Sequence, residues 1–120
     1  MPKYVDGYVL PVLRKNLPAY RRQARLGAKL WRAHGALGFC ECVGEDLAAK
    51  FGKPFSRLLR LKPGETVVFS WIVFKSRAQR DRVNAKVMRD PRLARMMDKE
   101  PMAFDQRRMI YGGFEVLVDA

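Results

Sequence analysis

The sequence predicts an α+β fold of element order β-α-β-β-α-β, a four-stranded antiparallel sheet with two helices on one face. This is the ferredoxin-like arrangement. Two observations carry it. Runs rich in β-branched and aromatic residues alternate, in that order, with runs whose apolar residues recur at the helical period. The strongest strand, TVVFSWIVF, is also apolar on both faces, with Val67, Phe69, Trp71 and Val73 on one and Thr66, Val68, Ser70, Ile72 and Phe74 on the other. A sheet with one wet face alternates apolar and polar residues instead. Burying one such large side chain stabilises by roughly 1.5–3 kcal/mol. Helices therefore cover one face, and the simplest cover for the other is the same sheet of a second copy.

Each element has its own signal. YVDGYVLPV has strand composition, closed by Pro11 and the turn-like RKNLP. Asn16 suits an N-cap and Pro18 the first turn of a helix. Tyr20, Ala24, Gly27, Ala28 and Trp31 then form an apolar stripe, Arg21, Arg22, Arg25, Lys29 and Arg32 point elsewhere, and Gly35 is a natural stop. ALGFCECV is the second strand. Residues 44–65 connect it to the third, and their PFSRLLRL suits either a short helix or an irregular flap. After TVVFSWIVF, Ser76 with Gln79 three positions on forms a capping-box pattern, and Val83 and Val87 give the helix an apolar side. Asp90-Pro91 interrupts it and restarts a short helix, Asp90 as cap and Pro91 as first residue. RRMIYGGFEVLV is the last strand, in which Gly112-Gly113 implies a bulge or bend.

At 120 residues the chain reads as one domain, 1–120, around one core. Apolar residues make up 48% and charged residues 30%, ordinary values for a soluble globular protein. No run approaches the ~20 apolar residues of a membrane span. MPKYVDGYVLPVLRK lacks the order of a secretion signal. The expectation is a cytoplasmic protein with reduced cysteines. The net charge of +12 raises an acidic partner such as RNA. Seven Lys/Arg and no acid lie between Arg14 and Arg32, and nine more lie from Lys75 to Lys99. Against this, RNA readers of this fold stack bases on exposed sheet aromatics, which a paired sheet would hide, and no RNP-like string is present.

WRAHGALGFCECV holds the only histidine, His34, and both cysteines, Cys40 and Cys42. On a strand, residues two apart share a face at roughly 6.6 Å. That is near the upper limit of about 6.8 Å for a disulfide. It also exceeds what two thiolates about 2.3 Å from one zinc prefer, and a closed zinc site needs four ligands. No metal or cofactor is expected, and both thiols read as small buried apolar groups. His34 follows Trp31 by three, at the last turn of the helix. It reads either as a capping histidine favoured by the helix dipole or as a proton carrier in a pocket between helix and sheet. Asp6 interrupts an apolar strand on the face of Tyr4 and Tyr8, where a carboxylate needs a partner: the pocket histidine, or a basic side chain in an ion pair. The catalytic candidates are His34 and Asp6. The ligand-binding candidates are Trp71 as a wall, Tyr111 as a donor, and Tyr8.

YVDGYVLPV, WRAHGAL, ECVGED, LKPGETVVFSWIVFKSRAQRDRVNAKVM-x-DPR and MIYGGFEVLV together resemble the YbaA-like family, domain of unknown function family 1428. The resemblance covers nearly the whole chain. It implies a dimeric α+β barrel, in which two ferredoxin-like sheets pack face to face. It brings no established activity and no catalytic residues. The wider superfamily includes cofactor-free monooxygenases, isomerases and haem enzymes, so the fold does not select a reaction. The functional expectation is a homodimer that binds or transforms a small molecule in a pocket between sheet and helices. The alternative is an RNA-associated protein.

Overall fold

The computed structural model describes residues 2–48 and 50–120. Its elements are β1 (Tyr4–Leu13), α1 (Leu17–Ala33), β2 (Gly38–Val43), α2 (Phe55–Leu58), β3 (Glu65–Phe74), α3 (Arg77–Met88), α4 (Pro91–Lys99) and β4 (Ile110–Glu115). The strands form one antiparallel sheet in the order β2-β3-β1-β4, which is the α+β, ferredoxin-like fold the sequence predicts. Among the described residues no helix is long and apolar enough to cross a membrane.

The two ten-residue strands, β1 and β3, are central and pair without a break from Tyr4↔Phe74 to Leu13↔Glu65. Even-numbered residues of both therefore share one face, and α1, α3 and α4 cover it. Tyr4, Ile72 and Phe74 meet Leu30, Val83 and Val87 at one end of this core, and Leu10, Val12 and Val68 meet Tyr20 and Ala103 at the other. The molecule is only 21 Å through its thinnest direction, room for one helix layer on one sheet. The odd-numbered face is left open. Val5, Val9, Phe69, Trp71, Val73, Ile110 and Phe114 line a shallow groove across it. The 44–65 connection contains the short helix α2, which covers only the margin of that face, Phe55 standing edge-on to Phe69 at 6.2 Å. Arg108 holds the segment, donating to Glu65 at 2.6 Å and to the carbonyls of Leu59 and Arg60 at 3.1 Å.

The expected caps form on the two later helices: Ser76 Oγ accepts from Gln79 N at 3.2 Å, and Asp90 Oδ1 accepts from Arg92 N at 2.9 Å. Asn16 occupies the N-cap of α1, but its side chain makes no capping bond, because a 3-10 turn over Arg14–Asn16 leads directly into the helix. Pro11 does not close β1. Lys3 O accepts from Val116 N, so odd positions of β1 turn their backbone groups towards β4. That strand ends opposite Val9, so the missing N–H of Pro11 forfeits no ladder bond. The bulge expected at Gly112-Gly113 is absent, since β1 and β4 pair one to one from Tyr4↔Glu115 to Val9↔Ile110. These glycines supply space instead. A Cβ on Gly113 would lie 2.5 Å from the Tyr4 hydroxyl oxygen, so any side chain there would displace that ring.

Candidate functional site

Strand alternation carries Asp6 beneath the helices, where it is fully buried. It accepts from Arg80 Nη1 at 2.8 Å and from Asn84 Nδ2 at 3.3 Å. Arg80 also donates to the Tyr111 hydroxyl at 2.9 Å and stands 4.9 Å over the Tyr4 ring. Asn84 in turn accepts from Trp31 Nε1 at 2.9 Å. One polar network thus ties β1, α3, α1 and β4 together. Asp6 takes the ion-pair alternative, with α3 supplying the cation. Burial and the nearby Asp6 carboxylate push the Tyr111 phenol above its ordinary range.

Beside this network lies a cavity of about 310 Å³ between the sheet, α1, α4 and the segment leading to β4. That is the small end of ligand pockets, which run from about 300 to 1,000 Å³. Its sheet wall carries Tyr8, Ser70, Phe39 and Glu41. Tyr20 of α1 donates its hydroxyl to Glu41 Oε1 at 2.7 Å. Ser70 is the cross-strand partner of Glu41. Burial raises the Glu41 carboxyl above its ordinary value, and hydrogen bonds from Tyr20 and Ser70 offset only part of that. Tyr20 and Tyr8 are raised too, Tyr20 by burial and then Glu41, Tyr8 by burial and then Asp6. The opposite wall is soft. Met88, Met96, Met97, Met102 and Met109, every methionine but the first residue, line the cavity, and unbranched thioethers adapt to irregular spaces. Gln23 anchors this wall, donating to Pro101 O and accepting from Ala103 N, both at 3.0 Å.

The sequence reading passed over Glu41. Its signal was present as a single acid inside the apolar strand ALGFCECV, the same signal that singled out Asp6.

The structure groups the other candidates differently from the sequence. Asp6, Tyr8 and Tyr111 come together on the covered face, the two tyrosine rings 5.0 Å apart. His34 caps the C-terminus of α1 and pairs through Nε2 with Asp90 Oδ2 at 2.8 Å, joining the end of α1 to the start of α4. Trp71 lies on the open face beside Phe69, centroids 5.6 Å apart. It therefore stands across the sheet from Tyr8 and Tyr111, because consecutive strand positions face opposite ways. Cys40 and Cys42 are free and half-buried rather than fully buried. They also project to the open face, opposite Trp71 and Phe69.

Residues 3–106 match the family model described as a protein of unknown function, DUF1428. The chain belongs to the DUF1428 family. It is 42% identical over 117 residues to the uncharacterized protein YbaA of Escherichia coli K12, covering 98% of each chain. Among solved structures, it is similar to a dimeric ferredoxin-like protein from an uncultured marine organism, with TM-score 0.59, 12% identity and full coverage of both chains. It is also similar to a NIPSNAP family protein of unknown function from Agrobacterium tumefaciens, with TM-score 0.60 and 14% identity over 96% of this chain and 88% of that one. At such identities these two structures speak for the fold, and for a DUF1428 chain the function has to be argued from the site.

Proposed function

We propose that this DUF1428 protein is a cytoplasmic homodimer, paired through the open sheet faces, that binds a small, largely apolar molecule in the cavity of each subunit, with Glu41 as the group that exchanges a proton with it. The observation that carries the reading is a carboxyl hydrogen-bonded to Tyr20 on the wall of a 310 Å³ cavity lined mainly by apolar side chains, five methionines among them, with Glu41 as its one charged group among the described residues. A carboxyl that burial makes hold its proton more tightly than usual can donate to a ligand oxygen and act as a base once the proton has left. Tyr8 and Ser70 supply further hydroxyls for orientation. In this reading the proton carrier is Glu41 rather than His34, whose Nε2 is engaged by Asp90.

The pairing is supported by the composition of the open face, where Phe69 is 43% and Phe114 60% exposed. It is also supported by the dimeric ferredoxin-like protein of the same fold. RNA binding is disfavoured by geometry. Exposed aromatics and phosphate-binding cations would have to share a face, yet the groove across the open sheet has Lys3 as its only basic lining residue among those described, and Lys3 pairs with Asp119 at 3.3 Å. The exposed Arg21, Arg22 and Arg25 belong to α1, on the other side.

The test is a fragment screen read by NMR on the methionine methyl groups and the Tyr20 ring. Fragments carrying one polar group should shift Met96, Met102, Met109 and Tyr20 together, and Glu41→Gln should weaken their binding without unfolding the protein. Hits confined to the open sheet face, or unaffected by Glu41→Gln, would overturn the site.

A further inference from the structure

We infer that the groove between α1 and β2 is the mouth of the cavity and selects an apolar molecule that ends in a carboxylate. Arg21 and Arg25 hold the anionic head, and the apolar body passes Tyr20 and Glu41 into the methionine-lined space. The inference rests on the cavity function proposed above and names the class of molecule that the cavity takes.

Two volumes meet at one partition. The groove measures about 670 Å³ and the cavity about 310 Å³, and Tyr20, Ala24, Phe39 and Glu41 line both. The 2.7 Å hydrogen bond from Tyr20 to Glu41 therefore joins the helix side of the partition to its strand side. Small side chains leave the groove open, since Ala24 and Ala28 of α1 put only methyl groups into it. Phe39, Glu41 and Val43 stand opposite Ile72, Ser70 and Val68, so the groove lies on the helix side of the sheet. Of the β2 residues that border it, only Cys42 turns to the open face. Two copies paired through their open faces leave this mouth accessible.

The charge of the mouth points to the chemistry of the head. Arg21 and Arg25 both border the groove, and both are exposed. They stand one helical turn apart, where like charges repel. Their neighbour Arg22 pairs with Glu100 at 3.3 Å. Among the described residues no carboxylate lies within ion-pair distance of Arg21 or Arg25. The one acid on the groove wall is Glu41, and its Oε1 is taken by Tyr20. Two guanidinium groups without an internal counterion thus flank the way into an apolar space. Their planar forks match a carboxylate. A neutral ligand would leave their repulsion in place, whereas an anion relieves it. A molecule held in this way passes Glu41 with the atoms next to its head, so that end of the molecule is where a proton is exchanged. The open groove also gives the Glu41 carboxyl a route to solvent.

The experiment compares octanoate with octanamide, the same chain with a neutral head, on the intact protein. Affinity is read by titration calorimetry and location by methyl NMR. At low ionic strength octanoate should bind roughly tenfold more tightly, the sum of two exposed ion pairs. It should shift the Ala24 and Ala28 methyl signals together with those of Met96 and Met102. Arg21→Gln with Arg25→Gln should bring octanoate to the affinity of octanamide and leave octanamide unchanged. Lys29→Gln with Arg32→Gln removes the same charge from the same helix away from the groove and should preserve the preference. Equal binding of the two probes by the wild type would overturn the mouth, as would a preference that survives the loss of Arg21 and Arg25. So would an equal loss in both double variants, which would mean that the net charge of +12 attracts the acid without a site. In each of these cases octanamide bound in the cavity, and weakened by Glu41→Gln, leaves the cavity function standing. Binding of neither probe, or shifts confined to the open face, would overturn the cavity function and the mouth together.

Discussion

The two faces of this sheet are built from alternate residues of the same strands, and they differ in chemistry. The covered face buries Asp6, Ser70 and Thr66 and half-buries Glu41. The open face, from Val5 to Val9 on β1 and Val67 to Val73 on β3, carries no charge. The difference follows from where partners exist. A buried carboxylate is tolerable only if hydrogen bonds replace its water, and the helices provide them: Arg80 and Asn84 for Asp6, Tyr20 for Glu41. The open face has no second layer to offer such partners, so it holds residues whose removal from water is favourable without any.

The largest effect should come from removing a partner on the covered side. Asp6→Ala leaves the Arg80 guanidinium in a largely buried site, its side chain only 12% exposed. Breaking a buried pair on one side costs about 3–5 kcal/mol, measurable by urea unfolding. Asp6→Ala combined with Arg80→Met should recover part of that loss. A cost below about 1 kcal/mol for the single change would mean that the network is not what permits a carboxylate under the helices.

On the open side the same kind of substitution should leave the fold and break the assembly. Trp71→Lys places a cation at the middle of the apolar face without disturbing the helix layer. Sedimentation at micromolar concentration should move from about twice 13.8 kDa to 13.8 kDa, with a loss of about 2 kcal/mol or more, some thirtyfold in dissociation constant. If Trp71→Lys unfolds the chain while the wild type sediments as a monomer, the open face belongs to the core of one chain and the contrast between the faces fails.

Glu41 sharpens the comparison from within the covered side, because its partner is a hydroxyl rather than a cation. Its raised carboxyl means that the folded state binds the proton more tightly than the unfolded state. Stability from this group is therefore complete below the ordinary value of 4.5 and is lost as pH rises through the raised value. Glu41→Gln, a neutral isostere, should match the wild type near pH 4 and exceed it in urea midpoint near pH 7. A variant less stable than the wild type near pH 7 would mean that ionised Glu41 is the form the fold prefers.

The element order and the two-sided character of β3 were legible in the sequence because both depend on local period and composition. So was the polar anomaly at Asp6. Its partner was not, because Arg80 lies 74 positions away and is one of 24 basic residues with the same local appearance. His34 was read correctly as a residue at a helix end, but Asp90, its partner, became legible only once α4 was folded back against α1. The faces of Trp71 and Tyr111 depend on pairing register. Tyr111 meets Tyr8 because β4 pairs with β1 without the bulge that the two glycines implied, and composition does not encode that register. The cavity was least visible of all, since its methionines come from α3, α4 and the segment after it, and they meet only in three dimensions.

The smallest effect concerns the junction that closes the helix layer over the cavity. Asp90 caps α4 and is held well below the ordinary carboxylate range, first by Arg92 and then by His34. A depressed carboxyl contributes stability above its ordinary value of 3.8 and loses it as pH falls below. Because α4 has no fully buried residue of its own, that loss should appear as local opening before the sheet unfolds. Hydrogen exchange, corrected for intrinsic rates, should show the α4 amides losing protection below about pH 4 while β1 and β3 stay protected. Asp90→Asn should flatten that acid limb. His34→Ala should raise α4 opening by on the order of tenfold or less at pH 7, the net worth of one hydrogen bond. If α4 and the central strands lose protection together, the junction belongs to the global core, and the cavity has no separately opening wall.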